Sequence, residues 1–150
     1  MRHPRWTHTL FTDEDLDVIA AAVTAAERGT SGEIRVHLEP RLPRGRTALD
    51  RARELFGRLG MQATADRNGV LLYLAVEDHV LAVLGDAGVH GQVGDTYWEH
   101  VRDTMVERLR AGAARDAVVG AVTDVGLVLR KFFPRRPDDR NELSDQVSLS

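Results

Sequence analysis

Apolar and polar residues follow two different periods along the chain, and these periods predict its helices and strands. Four stretches place apolar residues at helical spacing, and they begin after Thr12, Thr47, Asp95 and Gly112. Three shorter stretches are either alternating or continuously apolar, as strands are. The predicted strands are residues 33–38, 70–76 and 80–84. The predicted order of elements is therefore α-β-α-β-β-α-α.

The residues that flank these stretches support the assignment. Thr12 and Thr47 are N-cap residues, Gly60 suits a helix end, and Pro134 stops the last helix. This order predicts an α/β domain with a small mixed sheet flanked by helices, in a sandwich-like arrangement. We expect the domain to cover residues 1–134 and residues 135–150 to form a polar C-terminal arm. In the first strand, the face that carries alternating polar residues is expected to contact solvent.

The topology predicts that several polar residues meet at one end of the sheet. A strand–helix–strand crossover makes the first two strands parallel, and the following hairpin makes the third strand antiparallel to them. We call the end at which the first strand begins the lower end of the sheet. The residues expected there are Glu33, Asp66, Arg67, Asn68, Asp86 and Asp95.

Such a group of carboxylate and amide oxygens has the chemistry that hard cations prefer. Ca²⁺ and Mg²⁺ bind carboxylates, Asn carbonyls and backbone carbonyls. The alternative is purely structural: residues of these types also serve turns and helix caps. Ligands of open α/β sheets also usually bind at the opposite end, where parallel strands finish. The sequence alone leaves both interpretations open.

Composition and charge limit the classes of function. The chain has 150 residues, no cysteine, a net charge of −3 and a pI near 6.1. The absence of cysteine excludes thiolate nucleophiles and Cys-ligated metals, and the acidic balance gives no basic surface for nucleic acid. No secretory signal and no membrane span is visible, so we expect a cytoplasmic protein that does not insert directly into a membrane.

Several short blocks carry a family resemblance. They are residues 31–36 (SGEIRV), 67–73 (RNGVLLY), 85–86 (GD), Trp98, 132–134 (FFP) and 141–143 (NEL). In order and spacing these blocks resemble the TPM domain, from Leu10 to Ser144. That family includes a thylakoid lumen protein linked to photosystem II repair and bacterial envelope proteins that are often followed by a membrane anchor.

The resemblance implies an α/β sandwich and Ca²⁺ binding in an acidic cleft, and it implies the acid phosphatase activity proposed for plant members. Carried onto this sequence, the implied metal ligands are Glu33, Asn68, Asp86 and Asp95. The resulting hypothesis is an accessory domain that binds Ca²⁺ or Mg²⁺ and acts with a protein partner at a membrane.

Two alternatives follow. In a metal-assisted phosphatase, Asp66 or Asp86 would be a ligand or base and Arg67 would bind the phosphate. Because no covalent nucleophile is evident, whether the protein is an enzyme stays open. The other alternative is a protein-interaction module without chemistry.

Overall fold

Helices and strands follow one another in the predicted order along residues 3–135 and 147–149, the part of the chain that the computed structural model describes. The helices are α1 (Asp13–Glu27), α2 (Ala48–Arg58), α3 (Ala87–Arg110) and α4 (Ala114–Phe132). The strands are β1 (Glu33–Glu39), β2 (Gly69–Ala75), β3 (Val80–Gly85) and β4 (Ser148–Leu149). A short 3-10 helix, Arg5–Thr9, precedes α1.

The described strands form one mixed sheet in the order β3-β2-β1-β4. β1 is parallel to β2 and to β4, whereas β2 and β3 form an antiparallel hairpin. This arrangement confirms the predicted crossover and hairpin.

Helices cover both faces of the sheet. Side chains of α1, α3 and α4 form the larger core with Val36 and Leu72, while Leu55 and Phe56 of α2 pack against Leu71 on the other face. Every residue of β2 is buried, as its continuous apolar run predicts. The helix–sheet–helix layering confirms the α/β, sandwich-like class.

Most helix ends lie where the caps predict them. Thr12 accepts a hydrogen bond from the Asp15 backbone N–H, and the Asp15 side chain accepts one from the Thr12 backbone N–H, which completes a capping box. The Thr47 hydroxyl caps α2 in the same way by accepting from Asp50 N–H. Pro134 follows Phe133, the C-cap residue of α4, and forms a β-bridge with Thr30.

Two local expectations were wrong. The third helix begins at Ala87, not after Asp95, because Asp86 supplies an N-cap; Gly94 then interrupts the helix with φ 78°. The polar face of β1 is buried rather than solvated, with Glu33 and Glu39 only 1% and 3% exposed. Arg51 of α2 contacts Glu39 on that face, so a helix takes the place expected for water.

The boundary predicted at residue 134 stays a prediction. Most of the C-terminal arm, including the NEL block at residues 141–143, lies outside the described residues. Its described part, Val147 to Leu149, contributes β4 beside β1. Among the described helices, none has both the length and the apolar character that crossing a bilayer requires.

Candidate functional site

The register of the sheet brings the predicted polar segments to its lower end. Glu33 lies opposite Gly69 across the β1–β2 pair, and Val70 lies opposite Gly85 across the β2–β3 pair. Asp86 continues this arrangement because its backbone N–H donates to the carbonyl of Gly69 at 2.9 Å. The start of β1, the loop before β2 and the end of β3 are therefore neighbours.

An ion pair between Arg67 and Asp86 is the strongest polar contact at the lower end. Arg67 Nε and Nη2 donate to the two carboxylate oxygens of Asp86 at 2.7 and 2.9 Å. Hydrogen bonding to Asp86, together with its charge, raises the pKa of Arg67. The Asp86 side chain is 7% exposed and that of Arg67 is 53% exposed, so a surface cation covers a buried carboxylate. Arg67 also has φ 50°, an uncommon conformation for a non-glycine residue.

The N-terminus of α3 packs directly on this loop. The backbone N–H groups of Gly88 and Val89 both donate to the Arg67 carbonyl, at 2.8 and 3.3 Å, and Ala87 N–H donates to Asp86 Oδ1. A Cβ on Gly88 would collide with the backbone carbonyl oxygens of Asp66 and Arg67. Because protein oxygens already accept from these N–H groups, this helix end does not form a phosphate cradle.

A second polar group lies beside the ion pair. Asn68 Nδ2 donates to Ser31 Oγ at 3.1 Å, and Ser31 Oγ donates to Asp66 Oδ2 in a long contact of 3.4 Å. Asn68 is 1% exposed, and its Oδ1 accepts no hydrogen bond within the described residues. Leaving such a buried acceptor unpaired costs about 1–3 kcal/mol. Asp66 is exposed to solvent, so an ion has access to its carboxylate.

The other two predicted ligands point elsewhere. Glu33 is 1% exposed and, by strand alternation, lies on the α2 face of the sheet. Asp95 is 88% exposed beyond the Gly94 interruption, with its carboxylate 3.5 Å from His90 Nε2. Across residues 3–135 and 147–149, no three His, Asp or Glu side chains are grouped as metal ligands. The structure thus brings Asp66, Asn68 and the Arg67–Asp86 pair together and places Asp95 outside this group.

Asp95 instead lines a groove of about 440 Å³ along β3. Its floor includes Leu81 and Val83, and its walls come from α2 and α3, with Arg53 on one side and Trp98 on the other. The Trp98 indole N–H donates to His90 Nδ1 at 3.0 Å.

A buried polar cluster that the sequence did not reveal lies toward the finishing end of β1. Arg51 donates through Nε and Nη2 to the Glu39 carboxylate at 2.9 to 3.1 Å, and the His37 ring stacks on Tyr73 with centroids 6.5 Å apart. Burial is the main cause that lowers the pKa of His37 to about 4; Arg51 and Arg35 add to the shift, and Glu39 opposes it. Alternation in β1 identified a polar face, but only the position of α2 reveals that this face is covered.

Comparisons with known proteins agree with the fold. The family model described as the TPM domain matches residues 7–128. The solution structure of BA42 from the psychrophilic bacterium Bizionia argentinensis is 36% identical, with a TM-score of 0.83 over 93% of this chain and 95% of that one.

Two more distant structures share the fold. The N-terminal domain of a Porphyromonas gingivalis protein is 18% identical, with a TM-score of 0.67, covering 85% of this chain and 83% of that one. The N-terminal domain of cg2496 from Corynebacterium glutamicum is 15% identical, with a TM-score of 0.62, covering 79% and 74%. A search of curated proteins found no match. Since the family model covers most of the chain, the chain belongs to the TPM domain family.

Proposed function

We propose that this TPM domain binds a divalent cation, Ca²⁺ or Mg²⁺, at the lower end of the sheet. The observation that supports the proposal most is the buried Oδ1 of Asn68, which has no hydrogen-bond partner among the described residues and lies in the loop that carries Asp66. A cation would provide that oxygen with a partner and would use the exposed carboxylate as a charged ligand.

The residues present fit a weak site better than a tight one. Asp66 and Asn68 supply oxygen ligands, and a third carboxylate is available from Asp86 only if Arg67 releases it. Arg67 therefore acts as an internal cation that competes for Asp86. When bound, a divalent ion would neutralise the carboxylates and connect the loop before β2 to the start of α3. We expect an affinity in the range of extracellular Ca²⁺ modules, roughly 10⁻⁴ to 10⁻³ M.

Cation binding is favoured over phosphoryl transfer by the contacts of Arg67 and α3. The Arg67 guanidinium is engaged with Asp86, and the first N–H groups of α3 donate to protein oxygens. Neither group is preorganised to receive a phosphate, whereas Asp66 is open to a cation. A protein partner at a membrane is retained from the family resemblance as a further part of the proposal.

Thermal unfolding with millimolar CaCl₂, with MgCl₂ and with a chelator tests the proposal. We expect a rise in Tm with at least one metal, because a ligand at tenfold excess over its Kd stabilises the folded state by about 1.4 kcal/mol. Asp66→Asn should remove most of this rise. The matched control is Asp103→Asn, which makes the same change at a side chain that is 70% exposed on α3.

Arg67→Gln provides the opposite test at the same site. Releasing Asp86 should strengthen cation binding, so the Tm rise should begin at lower metal concentration than in the unmodified chain. The proposal is rejected if neither metal shifts Tm, or if Asp66→Asn and Asp103→Asn respond equally to metal.

A further inference from the structure

The outer side of β1 is covered by a segment from far along the chain. Ser148 and Leu149 pair in parallel with His37 and Leu38. The Arg35 guanidinium adds a side-chain contact, with Nη1 donating to Ser148 Oγ at 2.7 Å. Val147 and Leu149 pack against the larger core. Three described residues therefore complete a side of the sheet that β1 would otherwise expose.

The side chains of residues 147–149 alternate between the two faces of the sheet and so define three subsites along β1. Successive side chains of a strand point to opposite faces. Val147 and Leu149 lie on the apolar face with Val36 and Leu38, and Ser148 lies on the polar face beside Arg35. A peptide that fits these three subsites has an aliphatic residue, then a hydroxyl residue, then a second aliphatic residue.

The attachment of this segment is slight compared with the rest of the sheet. Among the described residues, two register pairs join this segment to β1, whereas seven join β1 to β2. Residues 147–149 are each only partly buried. A strand that is paired over so short a length can leave its position without disturbing the β1–β2–β3 core.

We propose that the outer side of β1 is a strand-binding site that accepts an extended peptide of aliphatic–hydroxyl–aliphatic pattern from another polypeptide, and that residues 147–149 are its internal occupant. Binding is by addition of a strand: backbone hydrogen bonds to β1 provide affinity, and the three subsites provide selectivity. The chain's own segment competes with the incoming peptide at a high effective concentration, so the site is open only when that segment is displaced.

The test uses the full chain and a fluorescein-labelled hexapeptide with the sequence of residues 145–150, DQVSLS. Leu149→Asp places a carboxylate against the apolar face and should displace the internal segment. Leu127→Asp is the matched control, since it makes the same change at an exposed position of α4, where the side chain is 58% exposed. Fluorescence anisotropy should show saturable binding at least about tenfold tighter to Leu149→Asp than to the unmodified chain or to Leu127→Asp.

Two further measurements test which peptides bind and where on the protein they bind. A peptide with aspartate in place of its valine and leucine should not bind, and amide shifts in the bound variant should concentrate on residues 34–39. Val147→Asp repeats the test if Leu149→Asp does not fold. The proposal is overturned by an absence of peptide binding to both variants, by equal affinity for the unmodified chain, or by shifts located elsewhere. A dimer of the unmodified chain formed by exchanged segments would overturn the choice of a separate peptide as the partner.

Discussion

Protonation of His37 should make the folded state lose stability in mild acid. His37 is 4% exposed, and its pKa is lowered from 6.5 to about 4, chiefly by burial. The unfolded chain therefore takes up a proton near pH 6.5, while the folded chain resists it until about pH 4. The stability contributed by neutral His37 is complete above pH 6.5 and is lost as the pH falls between these values.

The lowered pKa of His37 determines how much stability is lost in acid. From the two pKa values, the free energy of unfolding should fall by about 2 kcal/mol at pH 5 and by about 3 kcal/mol at pH 4, relative to neutral pH. Urea unfolding at a series of pH values measures it. His37→Phe keeps an aromatic ring against Tyr73 but removes the titrating group, so the difference between the two chains isolates His37 from the carboxylates that both share.

The outcome that would refute this reasoning is a parallel pH dependence. If the unmodified chain and His37→Phe lose the same stability between pH 7 and pH 4, His37 does not remain neutral in the folded state. A difference that grows as the pH rises would show that the sign is wrong, and that Glu39 and not burial controls the ring.

Two further predictions concern local packing and capping. Gly88→Ala should destabilise the protein by roughly 2 kcal/mol or more, because the new Cβ meets backbone oxygens of the loop before β2. Gly57→Ala in α2, where a Cβ meets nothing within 4 Å, should instead stabilise it by about 0.5–1 kcal/mol. Urea unfolding of both variants measures this contrast, and equal effects would contradict it. Thr12→Ala should cost about 1 kcal/mol by removing the capping box of α1, and Thr9→Ala, outside that box, is the control in the same assay.

The sequence predicted the fold where local chemistry decides the backbone. Thr12 and Thr47 fixed two helix starts, and Pro134 fixed the end of the last helix. The crossover rule then gave the parallel β1–β2 pair and the meeting of distant loops at the lower end. The helix ends depend on steric and hydrogen-bonding preferences that act over a few residues, and the strand pairing follows from the handedness of the crossover.

Contacts between elements were harder to predict. The sequence indicated Asp86 as a metal ligand and did not show its ion pair. Its bidentate partner, Arg67, lies 19 residues away and has an unusual φ. The glycines after Asp86 concealed the start of α3, although Gly88 is required there by the close approach of the loop. The burial of His37 could not be predicted because a polar strand face looks the same in sequence whether water or a helix covers it.

The most direct test of the central claim is a titration of the ¹⁵N-labelled chain with Ca²⁺ and, separately, with Mg²⁺, each followed by amide chemical shifts. We predict saturable shifts that concentrate on Ser31, on residues 66–68 and on the start of α3 at Gly88, with the amide side chain of Asn68 among them. An absence of saturable shifts there with both metals, or shifts spread over surface acids such as Asp103 and Asp116, would contradict a cation site at the lower end of the sheet.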